Sequence, residues 1–231
     1  MLAQLKSLAA AALLAGAHAN AALYTFPFSP GDGAGSGSIP DANPTGWWDT
    51  RTISGLAGTI ESLAINLTLG GGWNSDLYAC LVHFGNDNQT TSVILLNRIG
   101  ITPDNPFGNT GSELIVRLCN DTQTDYPNIH NADSGSVTGT YNPDNASGSL
   151  SAFNGINPNG NWTLFFADLS GGNQSTVTNW SLDIAVVPEP VGAALATSAG
   201  FLMLVVLARN RKLRHRLRRW RSAIDQWIDA V

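Results

Sequence analysis

The chain has 231 residues, which leaves room for one domain of ordinary size once terminal targeting segments are set aside. Charged residues make up only 13% of it, and its 24 glycines and 11 prolines favour short strands joined by turns over a helical bundle. Between Tyr24 and Val187 three arginines are outnumbered by fourteen acidic residues, so this region repels nucleic acid and anionic lipid, and we expect no nucleic-acid partner.

The N-terminus has the residue order of a secretory signal peptide. Lys6 precedes the apolar run Leu8 to Gly16, and small residues suited to cleavage surround His18. We therefore predict a signal helix over residues 1–21 and export through the inner membrane. The mature chain is expected to begin near Asn20 or Ala22.

Residues 22–38 are predicted to form a flexible leader. The stretch Ser29 to Ser38 is rich in glycine, serine and proline. Its glycines lack the flanking strand and helix that a phosphate-binding loop requires, so we assign it no ligand.

Residues 39–187 have the pattern of a β-rich domain, because short apolar runs with alternating polar residues are separated by turn-forming residues. The runs are Ile60 to Leu69, Leu77 to Phe84, Val93 to Leu96, Leu114 to Leu118, Trp162 to Asp168 and Trp180 to Val187. We predict an all-β fold, with a jelly-roll-like β-sandwich as the ectodomain. In this fold Trp162 and Trp180 are expected to lie on the two strands of a hairpin and to fill the core.

Six short segments between Ile39 and Leu182 form a recognisable pattern. They are Ile39-Pro40-Asp41, Asp76-Leu77, Phe153-Asn154-Gly155, Asn159-Gly160-Asn161-Trp162-Thr163-Leu164, Ala167-Asp168 and Asn179-Trp180-Ser181-Leu182. Together they resemble the P domain, the β-sandwich module that accompanies proprotein convertases and some bacterial subtilisin-like proteases. In those proteases the module helps to hold the catalytic domain in its folded form, and residues 1–38 contain no such domain.

Two alternatives stay open for Cys80 and Cys119, which lie in separate strand-like runs. In an exported protein they could form a disulfide that closes a loop of about forty residues. They could equally remain reduced thiols that behave as small apolar side chains.

Few residues are suited to catalysis. Outside the terminal segments only His83 and His130 could serve as the base beside a nucleophile, and the sequence has no Gly-x-Ser-x-Gly motif. Paired cysteine or histidine spacings typical of zinc sites are also absent from the sequence. We therefore expect that the protein is not an enzyme.

Calcium is the one cofactor that the sequence suggests, because carboxylates are abundant near the predicted turns. Asp76 and Asp168 are the candidate ligands. The alternative is that these acidic residues only keep an exported protein soluble. Trp47, Trp48 and Trp73 lie in loop-like contexts and are candidates for an exposed, sugar-binding aromatic surface.

The C-terminal region combines three features in order. The motif Val187-Pro188-Glu189-Pro190 keeps the chain extended, and the uncharged segment Val191 to Ala208 is about the minimum length for a transmembrane helix. The basic cluster that follows consists of Arg209, Arg211, Lys212, Arg214, Arg216, Arg218, Arg219 and Arg221, and it indicates a cytoplasmic C-terminus. The three features resemble the sorting signal of bacterial PEP-CTERM proteins, which implies export and then cleavage by an exosortase.

The tail, residues 209–231, continues beyond the last arginine, whereas the tail of that family usually stops soon after the arginines. Their apolar residues recur at spacings of four and three, at Leu213, Leu217, Trp220, Ile224, Trp227 and Val231. This periodicity predicts a basic, amphipathic cytoplasmic tail that lies on the inner leaflet of the membrane. A solvated, disordered tail is the alternative.

These observations favour an exported bacterial surface or extracellular-matrix protein with a structural or adhesive role. It is expected to be membrane-anchored with its ectodomain outside the cytoplasm, or to be released after processing. Its expected partners are an exosortase-type enzyme, the membrane, and exopolysaccharide or other matrix. Two other functions stay open: an accessory module of a secreted protease or other hydrolase, and a carbohydrate-binding module.

Overall fold

Nine β-strands make up most of the part of the chain that the structure describes. The computed structural model describes residues 20–29, 37–120, 125–144 and 149–188, together with Gly200. The strands are β1 (Ala22–Phe28), β2 (Asn43–Ile53), β3 (Thr59–Gly70), β4 (Leu77–Gly85), β5 (Thr90–Asn97), β6 (Glu113–Cys119), β7 (Val137–Tyr141), β8 (Gly160–Asp168) and β9 (Thr176–Val187). Three single-turn 3₁₀ helices lie between them, at Asn74–Asp76, Ile129–Asn131 and Leu150–Phe153.

The strands form two sheets. The five-stranded sheet has the order β1-β9-β3-β6-β7, and the four-stranded sheet has the order β2-β8-β4-β5. Neighbouring strands are antiparallel except for β6 and β7, which are parallel. The predicted all-β sandwich is therefore confirmed at the level of two packed sheets.

Side-chain alternation explains how the sheets pack. Successive residues of a strand point to opposite faces, so apolar residues at every second position give each strand one apolar face. Leu63, Ile65 and Leu67 of β3 are buried, as are Leu81 of β4 and Leu182 of β9. Both sheets turn such a face inward, and the shared core lies between them.

Trp162 and Trp180 are fully buried, as predicted, but they do not lie on a hairpin. β8 pairs with β2 and β4 in the four-stranded sheet, whereas β9 pairs with β1 and β3 in the five-stranded sheet. The connection between them therefore crosses from one sheet to the other. The prediction failed because two neighbouring strands with one apolar face each can close a sandwich from opposite sides as readily as they can pair.

A polar link joins the two sheets at one edge of the sandwich. The indole Nε1 of Trp180 donates to Oδ2 of buried Asp49 on β2, at 2.9 Å. Asp49 also forms an ion pair with Arg51, whose guanidinium lies 5.6 Å from the centre of the Phe28 ring. A buried carboxylate is tolerated here because it is both paired and hydrogen-bonded.

The predicted flexible leader is wrong over its first part. Residues Ala22–Phe28 form β1, which pairs along its whole length with β9. Pro27 is compatible with this strand because β1 is an edge strand, where one row of backbone groups has no partner strand. Residues 37 and 38 also bond to the start of β9, while residues 30–36 lie outside the described residues.

The predicted targeting segments lie almost entirely outside the described residues. This applies to the signal helix up to residue 19, to the transmembrane segment apart from Gly200, and to the basic tail over residues 209–231. Among the residues that are described, none belongs to a helix long and apolar enough to cross a membrane.

Candidate functional site

Two acidic side chains meet where β4 begins and β8 ends. Asp168, the last residue of β8, lies opposite Leu77 in the antiparallel register, and Asp76 directly precedes Leu77. Asp168 is fully buried and Asp76 nearly so. Strand pairing thus brings together two residues that are far apart in the sequence. We call Asp76 and Asp168, together with the exposed Asp41 nearby, the acidic cluster.

Hydrogen bonds satisfy the acidic cluster only in part. Oδ1 of Asp168 accepts from the backbone N–H of Ser170 at 3.2 Å, but Oδ2 is buried without a hydrogen-bond partner in the described structure. Arg98 is the cation that acts on Asp76, and its Nη2 donates to the Ser170 hydroxyl at 3.0 Å. The backbone N–H of Ala42 also acts on Asp168, so this carboxylate is weakly rather than fully satisfied inside the fold.

Burial penalises the charged forms of both carboxylates. It raises the pKa of Asp76 above the ordinary value of 3.8, although a hydrogen bond with Ser170 and the charge of Arg98 oppose it. It also raises the pKa of Asp168, where the backbone N–H groups of Ser170 and Ala42 oppose the shift and the negative charges of Asp76 and Asp41 add to it. A neighbouring cation or a shared proton would relieve this arrangement.

The acidic cluster fits a calcium ligand set only in part. The unpaired Oδ2 of Asp168 is a ligand of the type that calcium takes, and calcium also accepts backbone carbonyl groups and water. Across the described ranges, however, no three His, Cys, Asp or Glu side chains are placed to hold a metal ion together. Asp168 is fully buried, so a substrate does not reach its side chain from solvent.

The second candidate site is the outer face of the four-stranded sheet. Its outward-pointing side chains include no charged residue, as alternation and register show. They are Trp48, Thr50 and Thr52 on β2, Asn161, Thr163 and Phe165 on β8, Tyr78, Cys80, Val82 and Phe84 on β4, and Thr90, Ser92, Ile94 and Asn97 on β5. The outer face of the five-stranded sheet differs, since Asp183 and Arg117 form an ion pair on it.

The three tryptophans predicted as an exposed surface have different environments. Trp47 and Trp48 are neighbours on β2 and point to opposite faces, so Trp47 is 7% exposed whereas Trp48 is 59% exposed. Trp73 is 38% exposed and precedes the 3₁₀ turn before β4. The prediction for Trp47 is therefore wrong. Of the three tryptophans, only Trp48 lies on the uncharged outer face. Phe84, which is 46% exposed, lies on the same face.

The two histidines of the β-sandwich are held within the fold. His83 is buried, its ring lies 4.2 Å from that of Trp162, and burial lowers its pKa below 6.5. His130 bridges two groups, with Nδ1 2.8 Å from Oδ2 of Asp144 and Nε2 3.1 Å from the carbonyl oxygen of Ile101. Both ring nitrogens of His130 are therefore engaged within the fold.

Cys80 and Cys119 are not joined by a disulfide in the described structure. Cys80 lies on β4 of the four-stranded sheet and Cys119 on β6 of the five-stranded sheet. Both point away from the core, so the thickness of the sandwich, about 10 Å between sheets, separates them beyond disulfide reach. Burial raises the pKa of the Cys80 thiol, which disfavours the reactive thiolate.

Half of the predicted sorting motif is described. Val187 is the last residue of β9 and pairs with Thr59, and Pro188 follows as an exposed residue. Glu189, Pro190 and the basic cluster of residues 209–221 lie outside the described residues.

Comparison with known proteins gives only distant structural likenesses. No family model and no curated protein matches the chain. A chain in the complex of the Aeromonas sobria serine protease with its chaperone is similar at 15% identity and a TM-score of 0.45, over 80% of this chain and 30% of that one. A second structure of that protease is similar at 13% identity and a TM-score of 0.39, over 71% of this chain and 27% of that one. A structure of infectious bursal disease virus, Gt strain, is similar at 15% identity and a TM-score of 0.34, over 71% of this chain and 32% of that one. The chain thus spans less than a third of each of these chains, and at such TM-scores the likenesses carry no argument about function.

Proposed function

We propose that this protein is an exported, non-catalytic surface or extracellular-matrix protein whose β-sandwich has a structural or adhesive role. In this proposal the sandwich is a P-domain-like jelly roll, displayed outside the cytoplasm and either tethered to the membrane or released by an exosortase-type enzyme. The observation that carries it is the uncharged outer face of the four-stranded sheet, where Trp48 and Phe84 are exposed. Two large exposed aromatic side chains on one uncharged face are candidate contacts for a ligand.

The environments of the histidines favour binding over catalysis. A general base must have a ring nitrogen within hydrogen-bond reach of its substrate. His83 is enclosed in the core and His130 is held by Asp144 and a carbonyl group. The buried acidic cluster offers no open acid pair in their place.

The position of Pro188 supports processing at the predicted sorting motif. β9 ends at Val187, so the chain leaves the folded sandwich at the residue where the motif begins. Pro188 is exposed, and an extended, accessible segment is what a processing enzyme requires. Cleavage after this point would leave all nine strands intact.

The test is the intact mass of the protein recovered from its native host, measured separately in membrane and extracellular fractions. We expect an extracellular form that lacks residues 1–19 or 1–21 and everything beyond about Pro188. A double variant, Glu189→Ala with Pro190→Ala, should accumulate uncleaved at the membrane, whereas Pro103→Ala in an exposed loop should be processed normally.

Two results would contradict the proposal. Retention of the C-terminal segment in every fraction would eliminate cleavage and leave a permanently anchored ectodomain. Recovery of the protein with residues 1–19 intact from the cytoplasm would eliminate export, and with it a role outside the cell.

A further inference from the structure

The exposed rings of Trp48 and Phe84 lie at opposite ends of an uncharged patch on the outer face of the four-stranded sheet, which contains both apolar and polar side chains. Trp48 lies opposite Phe165, and Phe84 lies opposite Asn161, four residues earlier along β8. The two residues lie two strands apart across the sheet and four residues apart along it, which separates their backbone positions by about 16 Å. A ligand that contacts both rings must therefore be extended.

Hydroxyl and amide groups form two successive cross-strand pairs of β2 with β8, and the second of these pairs is level with Phe84. The hydroxyls of Thr50 and Thr163 are 2.8 Å apart, and the hydroxyl of Thr52 donates to Oδ1 of Asn161 at 2.8 Å. The amide nitrogen of Asn161 has no acceptor within the described ranges, so it is available as a donor. Because neighbouring side chains already hold these groups in place, little conformational entropy is lost when a ligand binds them.

We infer that this face binds a neutral polysaccharide. A sugar ring has an apolar C–H face that stacks on an aromatic ring, and a rim of hydroxyls that exchange hydrogen bonds with hydroxyl and amide groups. The outer face provides both kinds of contact side by side, and its length suits several linked sugars. This inference rests on the proposed adhesive function and names the chemistry of its ligand.

Charge complementarity selects a neutral ligand over an acidic one. An acidic polysaccharide requires cationic side chains, and the arginines that the structure describes lie elsewhere. Arg51 is paired with Asp49 inside the sandwich edge, Arg98 lies at the acidic cluster, and Arg117 is on the other sheet.

The face is apolar only in part. Phe165 lies beside Trp48, and Val82 and Phe84 follow on β4, whereas the pairs Thr50–Thr163 and Thr52–Asn161 are polar. Stable homodimer interfaces have a continuous apolar centre, so a second copy of this chain is the competing occupant, and ultracentrifugation distinguishes it from a sugar.

The test uses the full-length chain in mild detergent on an array of neutral hexasaccharides of glucose, mannose, galactose and xylose, with alginate and hyaluronan oligosaccharides as acidic probes. We expect binding to at least one neutral hexasaccharide and to neither acidic probe. Trp48→Ala should weaken the binding by about tenfold or more, because exposed aromatic anchors dominate such contacts. Asn161→Ala should weaken it as well.

Trp73→Ala is the matched control, since Trp73 is also partly exposed but lies off this face. It should bind as the unsubstituted chain does, and equal melting temperatures of the variants would establish that each is folded. The inference is overturned by an array without neutral binding, by Trp48→Ala binding unchanged, or by ultracentrifugation showing a dimer that Trp48→Ala dissociates. The mass measurement of export is independent of all three results, so a failure here is distinguishable from a failure of the proposed function.

Discussion

The carboxyl group of Asp168 lies inside the fold, where its charged form is only partly compensated. Burial raises its pKa and that of Asp76, so the folded protein binds these protons more tightly than the unfolded chain does. Their contribution to stability is therefore fully present below about pH 3.8, the unfolded value, and is lost as the pH rises through the folded pKa values. The charged forms of Asp76 and Asp168 therefore lower the stability of the folded protein.

The response to calcium tests whether the acidic cluster is a cation site. A cation bound there would neutralise the repulsion between Asp76 and Asp168, although the described carboxylates fit a calcium site only in part. A ligand that binds only the folded state at about a hundred times its Kd stabilises by about 2.7 kcal/mol. If the cluster binds calcium, we expect millimolar calcium at pH 7 to raise the melting temperature, as measured by scanning calorimetry against a chelator-treated sample.

The neutral substitution Asp168→Asn provides the control for calcium binding. It should raise the melting temperature at pH 7 without calcium, because it removes a buried charge, and it should abolish the response to calcium. Asp104→Asn, in an exposed loop, should respond as the unsubstituted protein does. If Asp168→Asn and the unsubstituted protein gain equally from calcium, the ion binds elsewhere.

Asp183 links four strands of the five-stranded sheet. Its carboxylate accepts from the Thr25 hydroxyl of β1 at 2.8 Å and from the Asn66 amide of β3 at 3.2 Å, and it forms an ion pair with Arg117 of β6. Burial alone would raise the pKa of Asp183, but these donors outweigh burial and hold it below 3.8. The sign is therefore opposite to that of the acidic cluster.

Replacing Asp183 should loosen the edge of this sheet. We expect Asp183→Asn to lower the free energy of unfolding by about 1–2 kcal/mol at neutral pH, since it removes charge-assisted hydrogen bonds. This stabilisation is present above the unfolded pKa and is lost as the pH falls through the folded pKa, so the difference from the unsubstituted protein should vanish in acid. Urea unfolding at several pH values measures it.

Hydrogen exchange locates the effect of the Asp183 substitution. Amides of β1 should lose protection first, because β1 pairs only with β9 and Thr25 is one of its side-chain ties. Thr178→Ala, which removes a neutral hydrogen bond elsewhere on β9, should leave β1 protected. A pH-independent loss of stability in Asp183→Asn would show that the charge is not responsible.

The apolar runs of the sequence predicted the central strands and part of the edge strand β5, but they missed the other three edge strands. The apolar runs located β3, β4, β6, β8 and β9, and they covered the middle of β5. The missed strands, β1, β2 and β7, all lie at sheet edges. An edge strand buries less of its surface, so its sequence needs less apolar periodicity, and β1 has no fully buried residue.

The candidate sites were predictable as residues but not as arrangements. Asp76 and Asp168 could be named as calcium ligands from the sequence, whereas their contact depends on the pairing of β4 with β8, which is a long-range property. Trp47 and Trp48 show the same limit, because adjacent positions on a strand face opposite sides and only the position of the core decides which ring is exposed. No pattern in the sequence indicated that Thr50, Thr52 and Thr163 would lie beside Trp48 on one face of the sheet.

At the scale of the whole molecule, residues 20–188 form a compact unit that contains both sheets. The first strand and the last strand of this unit pair with each other, so the two ends of the sandwich hold one another in place. The end of β9 is further enclosed at Gly58, where a Cβ atom would lie only 2.2 Å from the carbonyl oxygen of Val187. Removal of the segments outside this unit costs none of these contacts.

A fragment of residues 20–188 should therefore fold by itself, with a cooperative transition and a melting temperature within a few degrees of that of the full-length protein. A shorter fragment, residues 20–180, lacks Leu182, Ile184 and Val186, three buried side chains of β9. It should not fold, because the burial of each of these side chains contributes about 1.5–3 kcal/mol. Circular dichroism melting of the two fragments measures the difference. If the 20–188 fragment is unfolded, the C-terminal segment is part of the folding unit, and cleavage at the Pro-Glu-Pro motif would destroy the domain that it is proposed to release.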